Sequence, residues 1–193
     1  MKENKTFNIV SAGTSLLVLI LVFAMNFVKA SALGVDSGEG LTAWNLFAGK
    51  NGGEGIGIGF LVLVAVILLA VNIVLQFVQV DAVTEFAKKY SKKPVNVFVN
   101  NITAIACAGI FLIVGLMAPD ALKDMLKEAM QSVSDFGGYG DFGGYGDYGN
   151  AVGNAVSNML DFSMAMGAWA IIILSASMLF VPKFFHDKKE ATL

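Results

Sequence analysis

The sequence predicts an all-α integral membrane protein. We expect a four-transmembrane-helix bundle with an extra extracytoplasmic amphipathic helix and a loop rich in glycine and aromatic residues. Composition is one reason, because 56% of the 193 residues are hydrophobic and 15% are charged, against about a quarter charged in soluble domains. Length is the other, since a bilayer core of roughly 30 Å needs about 20 apolar residues in a helix. Four stretches are long enough, at about residues 9–28, 56–80, 95–117 and 162–181.

The lysines predict the orientation of these spans. All thirteen basic residues are lysines. Nine lie in the N-terminal segment, the loop between the second and third spans or the C-terminal tail, and four lie in the other two loops. Because lysine-rich loops stay in the cytoplasm, we expect a cell-membrane protein with both termini cytoplasmic and the two longer loops outside. We take the lysine-only basic usage as a prokaryotic feature.

The first span has an alternative interpretation. Lys2 and Lys5, the apolar residues 16–25 and the sequence Ala30-Ser31-Ala32 together resemble a secretory signal with its cleavage site. Cleavage would leave three spans and an outside N terminus. The apolar stretch is longer than a usual signal core, which favours a retained span.

Two tryptophans are candidate contact residues. Trp44 and Phe47 lie three residues apart in the first outer loop, so on a short helix they share a face. An interfacial anchor is the favoured interpretation, because tryptophan prefers the headgroup level, and a partner-docking contact is the alternative. Trp169 falls within the fourth span, where its indole N–H needs a protein partner. It is therefore a candidate contact to another helix or another chain.

The second outer loop, residues 119–161, begins with a predicted amphipathic helix over 119–134. Pro119 suits a helix start, and apolar residues that include Met125 and Met130 then recur at helical spacing. We expect this apolar stripe to lie on the outer membrane surface or to cap the bundle. A docking surface for another subunit is the alternative, to which the adaptable methionines are suited.

A short repeat occupies residues 135–149, where Asp-Phe-Gly-Gly-Tyr-Gly occurs twice and a partial copy follows. Its glycines predict an irregular loop rather than a helix, and a plain spacer is one interpretation. The other is self-association through the aromatic residues, which stack at about 1 kcal/mol per pair. The spacing does not match the calcium-binding nonapeptide. The aromatic residues are Phe136, Tyr139, Phe142, Tyr145 and Tyr148.

Amide side chains form stripes on two spans. The stripe of the second span contains Asn72, Gln76 and Gln79, and that of the third contains Asn96, Asn100 and Thr103. Helical spacing puts each set on one face, and the two stripes can face each other. Interhelical hydrogen bonds of roughly 0.6 to 2 kcal/mol each are the favoured role. A polar half-channel is the alternative, although the ionisable groups typical of proton relays are absent from the middle of the spans.

Small residues predict close approach of the helices elsewhere. Ser11 and Ser15 in the first span, Gly109 with Gly115 in the third, and Gly167 in the fourth let backbones come together.

The chemistry of known enzyme sites is missing from the sequence. The chain has no arginine, a single histidine, His186, and a single cysteine, Cys107. No phosphate loop and no nucleophile with a neighbouring base can be found. The sequence therefore predicts a protein that is not an enzyme, with no catalytic residue, no cofactor and no metal site.

In outline, four spans with an aromatic island in the first outer loop resemble the claudin-like four-span families. The claudin signature contains Gly-Leu-Trp and two loop cysteines, whereas this loop contains Leu46-Phe47 and no cysteine. The resemblance assigns no family.

These observations predict a non-catalytic multi-pass membrane protein that acts in structure or assembly. It would display the outer amphipathic helix and the aromatic-glycine loop for self-association or partner binding. The expected partners are the lipid bilayer and either copies of the chain or another membrane protein. The net charge of −2 gives no reason to expect nucleic acid. A channel or transporter subunit that uses the amide stripes is the alternative.

Overall fold

The computed structural model describes residues 5–33, 35–49, 55–78, 80–91, 93–136 and 159–186, with backbone alone at 36–39, 130–136 and 185–186. These residues are mostly helical and include a small three-stranded sheet. The helices are α1 (Lys5–Ala24), α2 (Ala43–Ala48), α3 (Phe60–Leu75), α4 (Asp81–Tyr90), α5 (Val95–Phe136), α6 (Met166–Ser177) and α7 (Val181–His186). The strands are β1 (Asn26–Ala32), β2 (Val35–Thr42) and β3 (Leu160–Met164).

Three of the described helical segments are long and apolar enough to cross a membrane. They are Lys5–Ala24, Gly57–Leu75 and Val95–Ala129, the last of which lies within α5. Apolar α6 has 12 residues, which gives it a length of roughly 18 Å. It packs against α1 and α5. The isoleucines that face away from the core, Ile67, Ile105 and Ile173, are more than half exposed, which is compatible with a lipid environment.

The sheet was not predicted, and it corrects the all-α fold class. β1 is the central strand and pairs antiparallel with β2 on one side and β3 on the other. The first span was expected to continue to residue 28, but α1 ends at Ala24 and the buried Phe27 and Val28 belong to β1. The fourth was expected to begin at residue 162, which lies in β3. Short apolar runs do not distinguish a buried strand from a helix.

The expected break at Pro119 is also wrong. α5 runs for 42 residues with Pro119 inside it, so the predicted amphipathic helix is the continuation of the third span. Proline removes the hydrogen bond to the carbonyl four residues earlier and its ring crowds that carbonyl, at a cost of about 3 kcal/mol. The helix continues because its next turns are packed: Ala118 is fully buried, and Ala121 and Leu122 pack against the core.

The core extends from the inner face of the sheet along the packed helices. Phe27 of β1 and Phe111 of α5 are fully buried, with ring centroids 6.1 Å apart. Leu69 of α3 and Ile171 of α6 belong to the same cluster. We call the end of the helices that carries β1, β2 and β3 the sheet end, and the opposite end the amide end.

At the amide end, the predicted short loop between the second and third spans contains α4. Asp81 lies in its first turn and Lys88 and Lys89 lie in its last turn, which complements the helix dipole at both ends.

Candidate functional site

Buried polar side chains concentrate at the amide end, on α1, α3 and α5. Such groups need hydrogen-bond partners, because an unsatisfied buried amide costs about 1 to 3 kcal/mol. They are Asn8, Ser11, Ser15, Asn72, Gln76, Asn96, Asn100 and Thr103, to which α6 adds Ser175.

Asn100 joins three segments. Its Oδ1 accepts a hydrogen bond from the Ser11 hydroxyl of α1 at 2.6 Å. Its Nδ2 donates to the carbonyl of Met178, just after α6, at 2.8 Å. The side chain is fully buried. This single amide therefore fastens α5 both to α1 and to the end of α6.

Asn72 connects α3 to α1 in the same way. Its Nδ2 donates to the Ser15 hydroxyl at 2.8 Å, and its Oδ1 accepts from Gln76 Nε2 at 3.0 Å. The Ser15 hydroxyl in turn lies 3.1 Å from the Ser11 carbonyl, to which it donates. The bonds around Asn72 and Asn100 therefore meet on one face of α1.

The outermost bond of the network involves Asn96. Its Nδ2 donates to Asn8 Oδ1 at 2.6 Å, and Gln76 Nε2 lies 3.4 Å from the Asn96 carbonyl. The two predicted stripes therefore touch at Gln76, and three of their side-chain bonds go to α1. Thr103 is buried one turn beyond Asn100, and Gln79 lies outside the described residues.

The sequence patterns do not predict Asn8 or the serines of α1 as members of the network, and they predict Ser11 and Ser15 only as small packing residues. The spacing of four between the two serines equals that of Asn72 with Gln76 and that of Asn96 with Asn100. This shared spacing is the signal that could have identified the serines.

Two buried amide oxygens remain without a partner among the described residues, Gln76 Oε1 and Asn101 Oδ1. Asn101 follows Asn100 in the sequence and points to another side of α5, because consecutive helical residues do not share a face.

At the sheet end, Trp44 and Phe47 lie on the short helix α2. The Thr42 hydroxyl caps this helix by accepting from the Asn45 amide at 3.1 Å. The Trp44 ring stacks on Phe23 of α1 and on Phe47, with centroid distances of 4.9 and 5.2 Å. Both side chains are half-buried, so they fasten α2 to the protein itself.

Met125 lines an apolar groove at the sheet end. The groove has a volume of about 410 Å³ and lies between the sheet and α5, with Leu41, Leu122 and Phe162 among its walls. Trp169 is on α6 and half exposed. The remaining predicted contact residues fall outside the part of the chain whose side chains are described: Met130, Phe136, Tyr139, Phe142, Tyr145 and Tyr148.

An ion pair connects α5 to β3 near this groove. Lys123 Nζ lies 2.6 Å from Asp161 Oδ1. The hydrogen bond from Lys123 and its positive charge hold the pKa of Asp161 below its usual value. Both side chains are partly exposed, so the pair orients the two elements more than it stabilises them.

No family model matches this chain, and no curated protein or solved structure matches it either.

The arrangement at the amide end can bind helices together and offers little for catalysis. Its members are neutral amides and hydroxyls that bond to one another. Among the described residues, no group of three histidine, cysteine or acidic side chains lies close enough to hold a metal.

Proposed function

We propose that this chain is a non-catalytic, multi-pass membrane protein that acts in structure or assembly by associating with copies of itself at its sheet end. In this proposal α1, α3 and α5 cross the membrane, and α6 and α7 together make a fourth crossing. Both termini are cytoplasmic. The lysines Lys88, Lys89 and Lys183 at the amide end support this orientation.

The bonds of α1 support its retention as a span. Ser11 and Ser15 bond to Asn100 and Asn72. The sequence Ala30-Ser31-Ala32 belongs to β1, which pairs on both sides. A chain cut after Ala32 would lose the central strand and every bond that α1 contributes to the amide network.

The attachment of the aromatic repeat is the observation that carries the proposal. The segment with the repeat leaves from α5, which ends at Phe136, and returns into β3, which begins at Leu160. These two elements are fastened to each other by Lys123 and Asp161. The repeat therefore begins at the end of α5 and lies in the connection between two elements that both line the apolar groove. Stacking between copies would add about 1 kcal/mol per aromatic pair.

Replacing the five aromatic residues of the repeat with serine, at constant chain length, tests the proposal. We expect insertion and helix content to be unchanged and the mass of the complex in a mild detergent to fall. Light scattering after size exclusion measures this mass. A matched control replaces Asp135, Asp141 and Asp147 with asparagine and should keep the larger mass. An unchanged mass in the serine variant would contradict self-association through the repeat.

A channel or transporter subunit is the second candidate. The observation that favours it is the buried Gln76 Oε1, which has no partner among the described residues and could accept a bond from a solute. A pathway predicts that Gln76→Leu abolishes flux of ions or small solutes into proteoliposomes while the protein stays folded. If the network is purely structural, neither the unchanged protein nor the Gln76→Leu variant should conduct ions or solutes. That outcome would contradict the channel and favour assembly.

A further inference from the structure

Helix α4 occupies a defined place relative to the membrane. It covers Asp81–Tyr90 and connects α3 to α5, two helices that are long and apolar enough to cross a bilayer. A ten-residue helix between two such crossings lies where both leave the hydrocarbon core, at the headgroup level of the amide end.

One face of α4 is apolar and exposed. Ala82, Phe86 and Tyr90 recur every four residues and therefore share a face. The rings of Phe86 and Tyr90 are 55% and 62% exposed, and Phe77, just before the helix, is 63% exposed. On a neighbouring face Ala87 is fully buried, so α4 is already seated on the protein, and its aromatic face points elsewhere.

The exposed rings form a connected surface. The centroid of Phe86 lies 4.7 Å from that of Tyr90 and 6.3 Å from that of Phe98 at the start of α5. Tyr90, which has an apolar ring and a polar hydroxyl, is of the type that favours the membrane interface, and the two phenylalanines extend its apolar surface. This surface therefore has the chemistry of an interfacial anchor.

Cations flank the aromatic face. Lys88 and Lys89 lie in the last turn of α4 and Lys93 follows it, and all three are exposed. Lys89 Nζ lies 5.6 Å from the centroid of the Tyr90 ring, which holds that charge beside the apolar face. The acids of α4, Asp81 and Glu85, lie in its first half.

We propose that α4 is an interfacial helix that binds the anionic phospholipid headgroups of the leaflet at the amide end. Phe86 and Tyr90 enter the boundary between headgroups and acyl chains, and Lys88, Lys89 and Lys93 bind the phosphates above them. Amphipathic helices bind anionic membranes in this way, with an aromatic face inserted in the membrane and basic residues along its edge. The proposal rests on the membrane crossing of α3 and α5 and does not depend on self-association.

Lipid fits this surface better than a protein partner does. Phe77 and Val78, in the short connection from α3 to α4, are apolar and exposed as well. Apolar side chains beside a crossing helix are suited to lipid. The adjacent positive charges complement anionic headgroups.

The rate of amide hydrogen exchange in residues 81–90 tests the proposal. Each nanodisc holds one chain, so that no second copy can cover α4. The discs contain phosphatidylcholine alone or with one third phosphatidylglycerol. We expect phosphatidylglycerol to slow exchange in α4 by roughly fivefold for each bound lysine at low salt. The effect should fade in about 0.5 M NaCl, because salt screens exposed charges. The double variant Lys88→Gln, Lys89→Gln should lose most of it.

The double variant Lys50→Gln, Lys127→Gln is the matched control, since it removes the same charge from the two predicted outer loops. It should keep the phosphatidylglycerol effect on α4. Equal exchange in the two kinds of disc would overturn the proposal, as would an effect of undiminished size in the Lys88, Lys89 variant. Fast exchange throughout α3 and α5 in both discs would overturn the membrane crossing and this proposal together.

Discussion

Replacing Asn100 with leucine should lower the free energy of unfolding by about 2 to 4 kcal/mol. The change removes the bonds from the Ser11 hydroxyl and to the Met178 carbonyl, each worth roughly 0.6 to 2 kcal/mol in a membrane. It also leaves these two buried groups unpaired, which adds to the cost. Titration of the detergent-solubilised protein with SDS, followed by circular dichroism, measures the change.

Asn101→Leu is the matched control, one residue further along the same helix. Because Asn101 Oδ1 has no partner among the described residues, leucine removes an unpaired polar atom there, and stability should be unchanged or slightly higher. Equal losses at the two positions would show that the cost comes from placing leucine in this turn of α5. The network would then have no special part in holding the helices.

The amide network could be predicted in part because helical spacing alone sets which residues share a face. That argument placed Asn72 with Gln76 and Asn96 with Asn100 on single faces, and the structure places all four in the buried interior. It did not predict that α1 supplies partners to both stripes. Which helix bonds to a stripe depends on shape across the whole interface, and the serine spacing is a weak signal because serines are also common as small packing residues.

The sheet illustrates a different limit. The expected spans counted apolar residues, and Phe27, Val28, Phe162 and Met164 satisfy that count in a strand as well as in a helix. The deciding interaction is the pairing of β1 with β3, which lie more than a hundred residues apart. Single-sequence patterns are local and do not report such pairing.

Helix α4 was recoverable from the sequence. Asp81 at its start and Lys88 and Lys89 at its end are the charges expected at helix termini. Ala82, Phe86 and Tyr90 between them have the spacing of one helical face. The charges of the lysines alone predict only the orientation of the spans, so the helix follows from the sequence only when the spacing of the apolar residues is considered as well.

Gly167→Ala should destabilise the protein by about 1 to 3 kcal/mol, the usual range for overpacking. Gly167 is the second residue of α6, and an added Cβ would overlap the Asn26 carbonyl oxygen and lie 2.9 Å from Met25 Cβ. The Asn26 backbone cannot easily move away. The next residue, Phe27, accepts a bond from the Ala165 amide at 2.9 Å, which holds β1 against the start of α6.

Gly109→Ala gives the opposite expectation from the same chemical change. Gly109 is inside α5, and an added Cβ would have no neighbour within 4 Å, so alanine should raise stability by up to about 1 kcal/mol through helix propensity. From the sequence, both glycines are predicted to be packing residues. The difference in expected stability comes from the Asn26 backbone, which lies against Gly167 and not against Gly109. Thermal unfolding of both variants in one detergent measures the difference. If both variants gain stability, the junction of α1, β1 and α6 is loose enough to accept a methyl group, and the sheet end is less rigid than these contacts imply.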